Sequence, residues 1–162
     1  MPVPVQFVGQ AELEDALTAE KLRQLLGDKG KNEPSPSRVR LALDNGHGMV
    51  LGLIQKQVKN KSLDELWDNG TWSERDKAET RRLVLGACIY YTHHIGQKAE
   101  GVPDSVMTER DYIEQRCQDI GNNLATLGAD PPPASAQGHS VCLAPAVGHY
   151  PAGSARSMWS KF

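Results

Sequence analysis

Cysteine is scarce in this chain, and its spacing gives no sign of pairing. Cys88, Cys117 and Cys142 are the three cysteines among 162 residues, and no two of them form a CxxC pair. An odd number of widely spaced thiols argues against a disulfide framework and indicates a reducing compartment. Cys88 and Cys117 stand at apolar positions of predicted helices, so we expect both to be structural.

Long apolar runs and a targeting signal are missing as well. No stretch approaches the roughly 18 apolar residues of a membrane-spanning helix. Residues 1–5 have neither the basic start nor the apolar run of a secretion signal. We therefore expect a protein without membrane contact that is made in a cytosol or belongs to an assembly formed there.

A surplus of positive charge is also absent. The formal net charge is −2, whereas a nucleic-acid binder normally presents a basic face. Residues 131–162 contain Arg156 and Lys161 but no acid, which leaves a charge of −4 on residues 1–130. This balance argues against nucleic acid as the principal partner.

Signatures of catalysis are missing too. The chain has no GxSxG elbow, no Walker loop and no HExxH motif. His93 and His94 are adjacent, and neighbouring helical residues project about 100° apart, so the two cannot bind one metal ion from a regular helix. The glycine-rich residues 46–52 miss the spacing of a dinucleotide loop by one position. We predict no catalytic residue, no cofactor and no metal site.

The clearest positive feature is a change of composition near residue 130, at the sequence GADPPP. The residues after it are mostly Gly, Pro, Ala and Ser, a composition that cannot offset its own ordering entropy. We predict a helical domain, residues 1–130, followed by an extended C-terminal arm, residues 131–162. The large aromatic side chains of the arm lie in its last 13 residues. We predict that the arm becomes ordered when it binds a partner, and that the contact residues are Tyr150, Arg156, Met158, Trp159 and Phe162.

The first half of the domain predicts two short helices and one long one. Residues 11–17 and 19–26 form the short pair, with Thr18 as the cap of the second. Ser35 and Pro36 begin the long helix, whose apolar positions continue to residue 58. Its interior glycines each cost about 1 kcal/mol relative to alanine, so either a neighbouring helix packs closely there or the helix is broken. A strand over residues 38–43 is the alternative.

The second half predicts the centre of the fold. Residues 73–76 read as an acidic variant of the capping box, and the helix that they begin is apolar over more than half of its circumference until Gly96. A last helix follows residues 101–103, ends at Gly128 and packs antiparallel to it. Residues 59–72 predict a loop with a short helix. The predicted fold class is therefore all-α, a small bundle of about five helices.

Two features of the domain suggest contact surfaces. Trp67 and Trp72 flank a loop, where tryptophan is typical of an interface, although both could instead cover the end of the bundle. Basic residues cluster from Arg75 to Arg82, which leaves a small nucleic-acid-binding or regulatory module as the alternative function. Acids alternate with these cations, a pattern more typical of a salt-bridged helix surface.

In its order of parts the chain resembles the head-tail connector, or head-completion adaptor, proteins of tailed bacteriophages, in particular those of Mu-like phages. The resemblance lies in the early helices, the turn-rich residues 28–32, the helix start at 37–43 and the core helix with RRLVLGACIYY at 81–91. It continues through the VPD of 102–104, Tyr112 in the last helix, and a glycine- and proline-rich tail that ends in RSMW at 156–159.

This resemblance implies a structural role in the virion. It implies a ring of identical subunits, commonly twelve, that sits under the portal protein of the DNA-filled head and presents a surface to a tail or stopper protein. Genomic DNA would pass through the ring without sequence-specific binding. Because closed rings use head-to-tail interfaces, we expect two different faces of the domain to carry apolar residues.

Overall fold

A computed structural model of the chain describes residues 6–28, 30–59, 61–96 and 101–128. Within these ranges it contains six helices: α1 Gln10–Leu17, α2 Ala19–Leu26, α3 Pro36–Gln57, α4 Leu63–Asp68, α5 Glu74–Gly96 and α6 Asp104–Leu127. The only β-type pairing in these ranges is an isolated bridge between Gly27 and Pro34. The predicted all-α class is confirmed. The alternative strand over residues 38–43 is wrong, because these residues form the first turns of α3.

Short polar side chains begin three of the helices: Thr18 and Ser73, as predicted, and Ser62, which was not predicted as a cap. The hydroxyl of Thr18 accepts a hydrogen bond from the backbone N–H of Lys21 at 3.3 Å. The hydroxyls of Ser62 and Ser73 each accept the backbone N–H three residues further on, at 3.2 and 3.1 Å. Each bond satisfies a donor that has no partner within its own helix.

Helix α5 is the centre of the bundle, as predicted. It packs against α1, α2, α3 and α6, and Val84, Ala87 and Cys88 on it are completely buried. Near the start of α5, Glu79 accepts a hydrogen bond from Arg116 in the second half of α6. Further along α5, Tyr90 lies under Arg110, which is in the first half of α6. The two helices are therefore antiparallel, which also matches the prediction.

A close crossing joins α3 to α5 at Gly46. A Cβ atom at this position would lie 2.5 Å from Sγ and 2.8 Å from the backbone N of Cys88, so a side chain larger than hydrogen does not fit. Helix α3 continues through its glycines without a break. Of the two explanations that the sequence left open, close packing is the right one at Gly46.

None of the helices in the described ranges combines the length and the apolar character that crossing a membrane requires.

Candidate functional site

The predicted contact residues of the arm are Tyr150, Arg156, Met158, Trp159 and Phe162, and all five lie outside the described residues. Their role in binding a partner stays a prediction, as does the division of the chain at residue 130.

Trp67 and Trp72 belong to an aromatic cluster at one end of the bundle. The Trp67 ring meets those of Phe7 and Trp72 edge-on, at centroid distances of 5.7 and 5.2 Å. Trp72 is only 1% exposed, whereas Trp67 is half-buried and has the ammonium of Lys77 4.4 Å from its centroid. Trp72 is thus part of the core, the alternative left open above, and of the two only Trp67 offers surface to a partner.

His47 ties the N-terminal segment to α3. Its Nε2 accepts hydrogen bonds from the backbone N–H groups of Phe7 and Val8 at 2.8 and 3.2 Å. Its Nδ1 lies 2.7 Å from the carbonyl oxygen of Leu43, so the proton is on Nδ1 and the ring is neutral. Sequence reasoning missed this role, because the bonded residues are 39 and 40 positions away.

His93 and His94 occupy different surroundings, as adjacent helical residues should. His93 is buried, and burial together with the charge of Lys21 lowers the pKa of its imidazole. Its Nδ1 has no hydrogen-bond partner among the described residues. His94 is exposed, and its ring stacks on Tyr90 at 5.9 Å. Within the described ranges no three His, Cys, Asp or Glu side chains come together as metal ligands.

Two of the four cations in the basic cluster on α5 are ion-paired. Lys77 contacts Glu74 at 2.7 Å, and Arg81 forms an ion pair with Glu12 of α1. Arg75 and Arg82 are exposed. Pairing of this kind holds helix surfaces together and leaves fewer cations available for a phosphate backbone.

One concave surface in the described part of the chain is an open groove between α3 and α6, with α5 between them. It encloses about 390 Å³ and is lined by Gly48, Met49, Gly52 and Leu53 of α3, Tyr90 and Tyr91 of α5, and Arg110 and Glu114 of α6. We call this surface the α3/α6 groove. Its aromatic and aliphatic side chains, together with the charged Arg110 and Glu114, suit a partner surface that is partly apolar and partly polar.

A paired charge borders the groove on α6. The guanidinium of Arg110 lies 5.4 Å from the centre of the Tyr90 ring, and its Nη2 is 2.8 Å from Oε1 of Glu114. Both charged side chains are about one-third exposed. The stacking on Tyr90 and the ion pair hold Arg110 in place, so the groove keeps a defined wall.

The glycines of the groove have no packing partner in the described residues. A Cβ atom at Gly48 or at Gly52 would meet nothing within 4 Å, in contrast to Gly46. Each of these glycines lowers the stability of α3 by about 1 kcal/mol relative to alanine. Nothing in the described fold compensates for that cost, and the absent side chains leave the backbone of α3 open to close approach.

A second exposed apolar feature lies on the other side of α6. Tyr112 is 46% exposed and is two residues from both Arg110 and Glu114. Positions two apart on a helix project about 200° from each other, so Tyr112 faces away from the groove. Residues on two sides of α6 can therefore contact two different partner surfaces.

Sequence reasoning noticed residues 46–52 but did not separate the glycine that packs inside from the two that face outward. A signal was present, because Gly48 and Gly52 are four residues apart and lie on the same helical face as exposed Leu41. Comparisons with protein-family models, with curated proteins and with solved structures find no match to this chain.

Proposed function

We propose that this chain is a structural virion protein, a head-tail adaptor whose copies form a ring under the portal of a tailed bacteriophage and join the DNA-filled head to the tail. The proposal starts from the resemblance in the order of parts, above all the core helix with RRLVLGACIYY at 81–91 and the tail that ends in RSMW. The all-helical bundle with α5 at its centre agrees with that layout.

The observation that carries the proposal is the pair of exposed apolar features on opposite sides of α6. The α3/α6 groove is on one side, and Tyr112 is on the other. A closed ring joins unlike faces of identical subunits, so each subunit needs two distinct contact surfaces. This arrangement supports head-to-tail contacts between neighbours.

Charge and the predicted arm support the same role. Residues 1–130 carry −4, which suits a channel that DNA must pass without adhering to the wall. A single arm of this composition binds weakly, but the arms of one ring act together through their high effective concentration. We therefore expect residues 131–162 to hold the ring to the portal or to the tail.

Microscopy combined with mass measurement tests the proposal. Negative-stain images of the purified full-length chain mixed with a portal should show rings with a central hole. A protein that stays monomeric with a portal present and binds duplex DNA in a salt-sensitive manner would contradict it. That result would favour the alternative, a nucleic-acid-binding module that uses the Arg75 to Arg82 surface.

Removal of residues 158–162 tests the arm separately. The truncated protein should keep the helical circular dichroism of the full-length chain but should no longer join heads to tails. Normal particle assembly with the truncated protein would contradict the predicted role of Met158, Trp159 and Phe162.

A further inference from the structure

Charged side chains of α3 stand on both sides of the glycines in the α3/α6 groove. We propose that a second copy of this chain occupies it, with the two α3 helices packed antiparallel about position 50. This pairing is independent of the proposed function, because it needs no portal, tail or ring. It is a contact of the protein with itself in solution.

The shape of the groove favours a helix as the occupant. Gly48 and Gly52 present bare backbone to open space, and the distance between two packed helices falls as the side chains at their crossing become smaller. Met49 and Leu53 stand beside these glycines, and Tyr90 and Tyr91 lie across the groove. A helix that crosses at the glycines would cover these four side chains.

The charges of α3 select a second α3 in the antiparallel direction. Asp44 and Lys56 are both exposed, and each stands four residues outside the two glycines. When Gly48 of one copy faces Gly52 of the other, Asp44 of each copy faces Lys56 of the other copy. Lys56 has no ion pair elsewhere in the described ranges, and the contact of Asp44 with Arg40 is a loose one of 3.7 Å between exposed groups.

Two other registers of the same two helices bring like charges together. A parallel pair would place Asp44 against Asp44 of the second copy. An antiparallel pair shifted so that Gly48 faces Gly48 would place Arg40 against Lys56. Of these three registers, the one centred on position 50 is the one in which the charges at both ends of the crossing attract, and the like charges in the other two are unfavourable.

The pair and the proposed ring would use the same surface. In a ring the α3/α6 groove would face the neighbouring subunit, so a subunit cannot hold both contacts there. The two-fold pair is therefore a state of the free protein, and it would have to separate before a ring closes.

Charge reversal on the full-length chain tests the register. A small helix-helix contact is expected to hold only at high concentration, so the mass should be measured by light scattering at about 100 µM and after dilution. The wild-type mass should approach twice the 17.7 kDa of one chain at the higher concentration. Asp44→Lys and Lys56→Asp should each weaken the pair at least about 10-fold.

Mixing the two variants provides the decisive measurement. In an equimolar mixture of Asp44→Lys and Lys56→Asp, each end of the crossing again joins opposite charges, so a heterodimer should form. The double variant should pair with itself as the wild type does. Glu20→Lys, a reversal at an exposed site on α2, is the matched control and should leave the pair unchanged. Circular dichroism checks that every variant is folded.

The outcomes separate this inference from the proposed function. A wild-type chain that is monomeric at every concentration, or single variants that pair as well as the wild type, would overturn it and leave the groove to another occupant. Rings that form normally without any two-subunit species would overturn the pair while the adaptor proposal stands. Dimers that respond to charge reversal as expected, with no ring at a portal, would support the pair and contradict the adaptor proposal.

Discussion

The imidazole of His47 accepts a hydrogen bond from the backbone N–H of Phe7 at 2.8 Å, across 40 positions of the chain. The same nitrogen also accepts the N–H of Val8, so a single side chain on α3 satisfies two consecutive donors of the N-terminal segment. Phe7 in turn packs against the edge of Trp67. His47 therefore connects the start of the chain to the aromatic end of the bundle.

Replacement of His47 tests this connection. His47→Leu removes the acceptor of both N–H groups, and a buried donor without a partner costs about 1 to 3 kcal/mol. We expect the free energy of unfolding, measured in urea, to fall by about 2 kcal/mol. His94→Leu is the control, because His94 is exposed. Equal losses in the two variants would contradict the assigned role.

Two glycines of α3 should respond in opposite ways to the same substitution. Gly46→Ala forces a methyl group against Sγ and the backbone of Cys88, and overpacking of this kind typically costs about 1 to 3 kcal/mol. Gly48→Ala adds a methyl group in open space and should raise the stability of the dilute protein by up to about 1 kcal/mol. Urea unfolding of both variants measures the difference. Loss of stability in Gly48→Ala would show that its surroundings are not open.

Acid should destabilise the protein partly through His93. Burial, with a contribution from Lys21, lowers the pKa of this imidazole in the folded state, so the unfolded chain takes up the proton at higher pH. The contribution of the neutral imidazole to the free energy of unfolding is fully present above about pH 6.5, the ordinary pKa of histidine. It is lost as the pH falls from there through the lowered pKa of the folded state.

His93→Leu removes this titration. The decrease in unfolding free energy between about pH 7.5 and about pH 5 should be smaller in this variant than in the wild type. His94→Leu serves as the control and should keep the wild-type dependence. Parallel pH profiles for wild type and His93→Leu would refute the prediction, whatever the absolute stability of the variant.

The two cysteines of the helices should resist modification until the protein unfolds. Cys88 and Cys117 are completely buried, and burial raises the pKa of each thiol to about 12. Since the thiolate is the reactive form, a thiol reagent at neutral pH should modify neither residue in the native protein and both in denaturant. Peptide mass mapping gives the answer for each site. Rapid native labelling of Cys88 would mean that the crossing at Gly46 opens.

The positions of the helices could be predicted because their signals act over a few residues. Thr18, Ser62 and Ser73 cap helices through N–H groups three positions further on. The predicted start at Ser35 and Pro36 and the stops at Gly96 and Gly128 all match the observed helices. Even the short α4 was expected within residues 59–72.

The roles of individual residues at those positions could not be predicted in the same way. Gly46 and Gly48 look equivalent in the sequence, yet one abuts Cys88 and the other faces open space. Trp67 and Trp72 flank the same loop, yet Trp72 lies in the core while Trp67 keeps exposed surface. His47 showed no sign of a partner, because the two N–H groups that it binds lie far away in the chain.

Capping and the 3.6-residue period thus set the fold class and the limits of the helices, since both operate within one or two turns of chain. The positions of α5 and α6 beside α3 decide which side of α3 is buried and which side lines the groove. Those placements depend on contacts between residues 40 or more positions apart, such as that of Gly46 with Cys88. The groove, like the bonds of His47, therefore exists only once the helices are packed together.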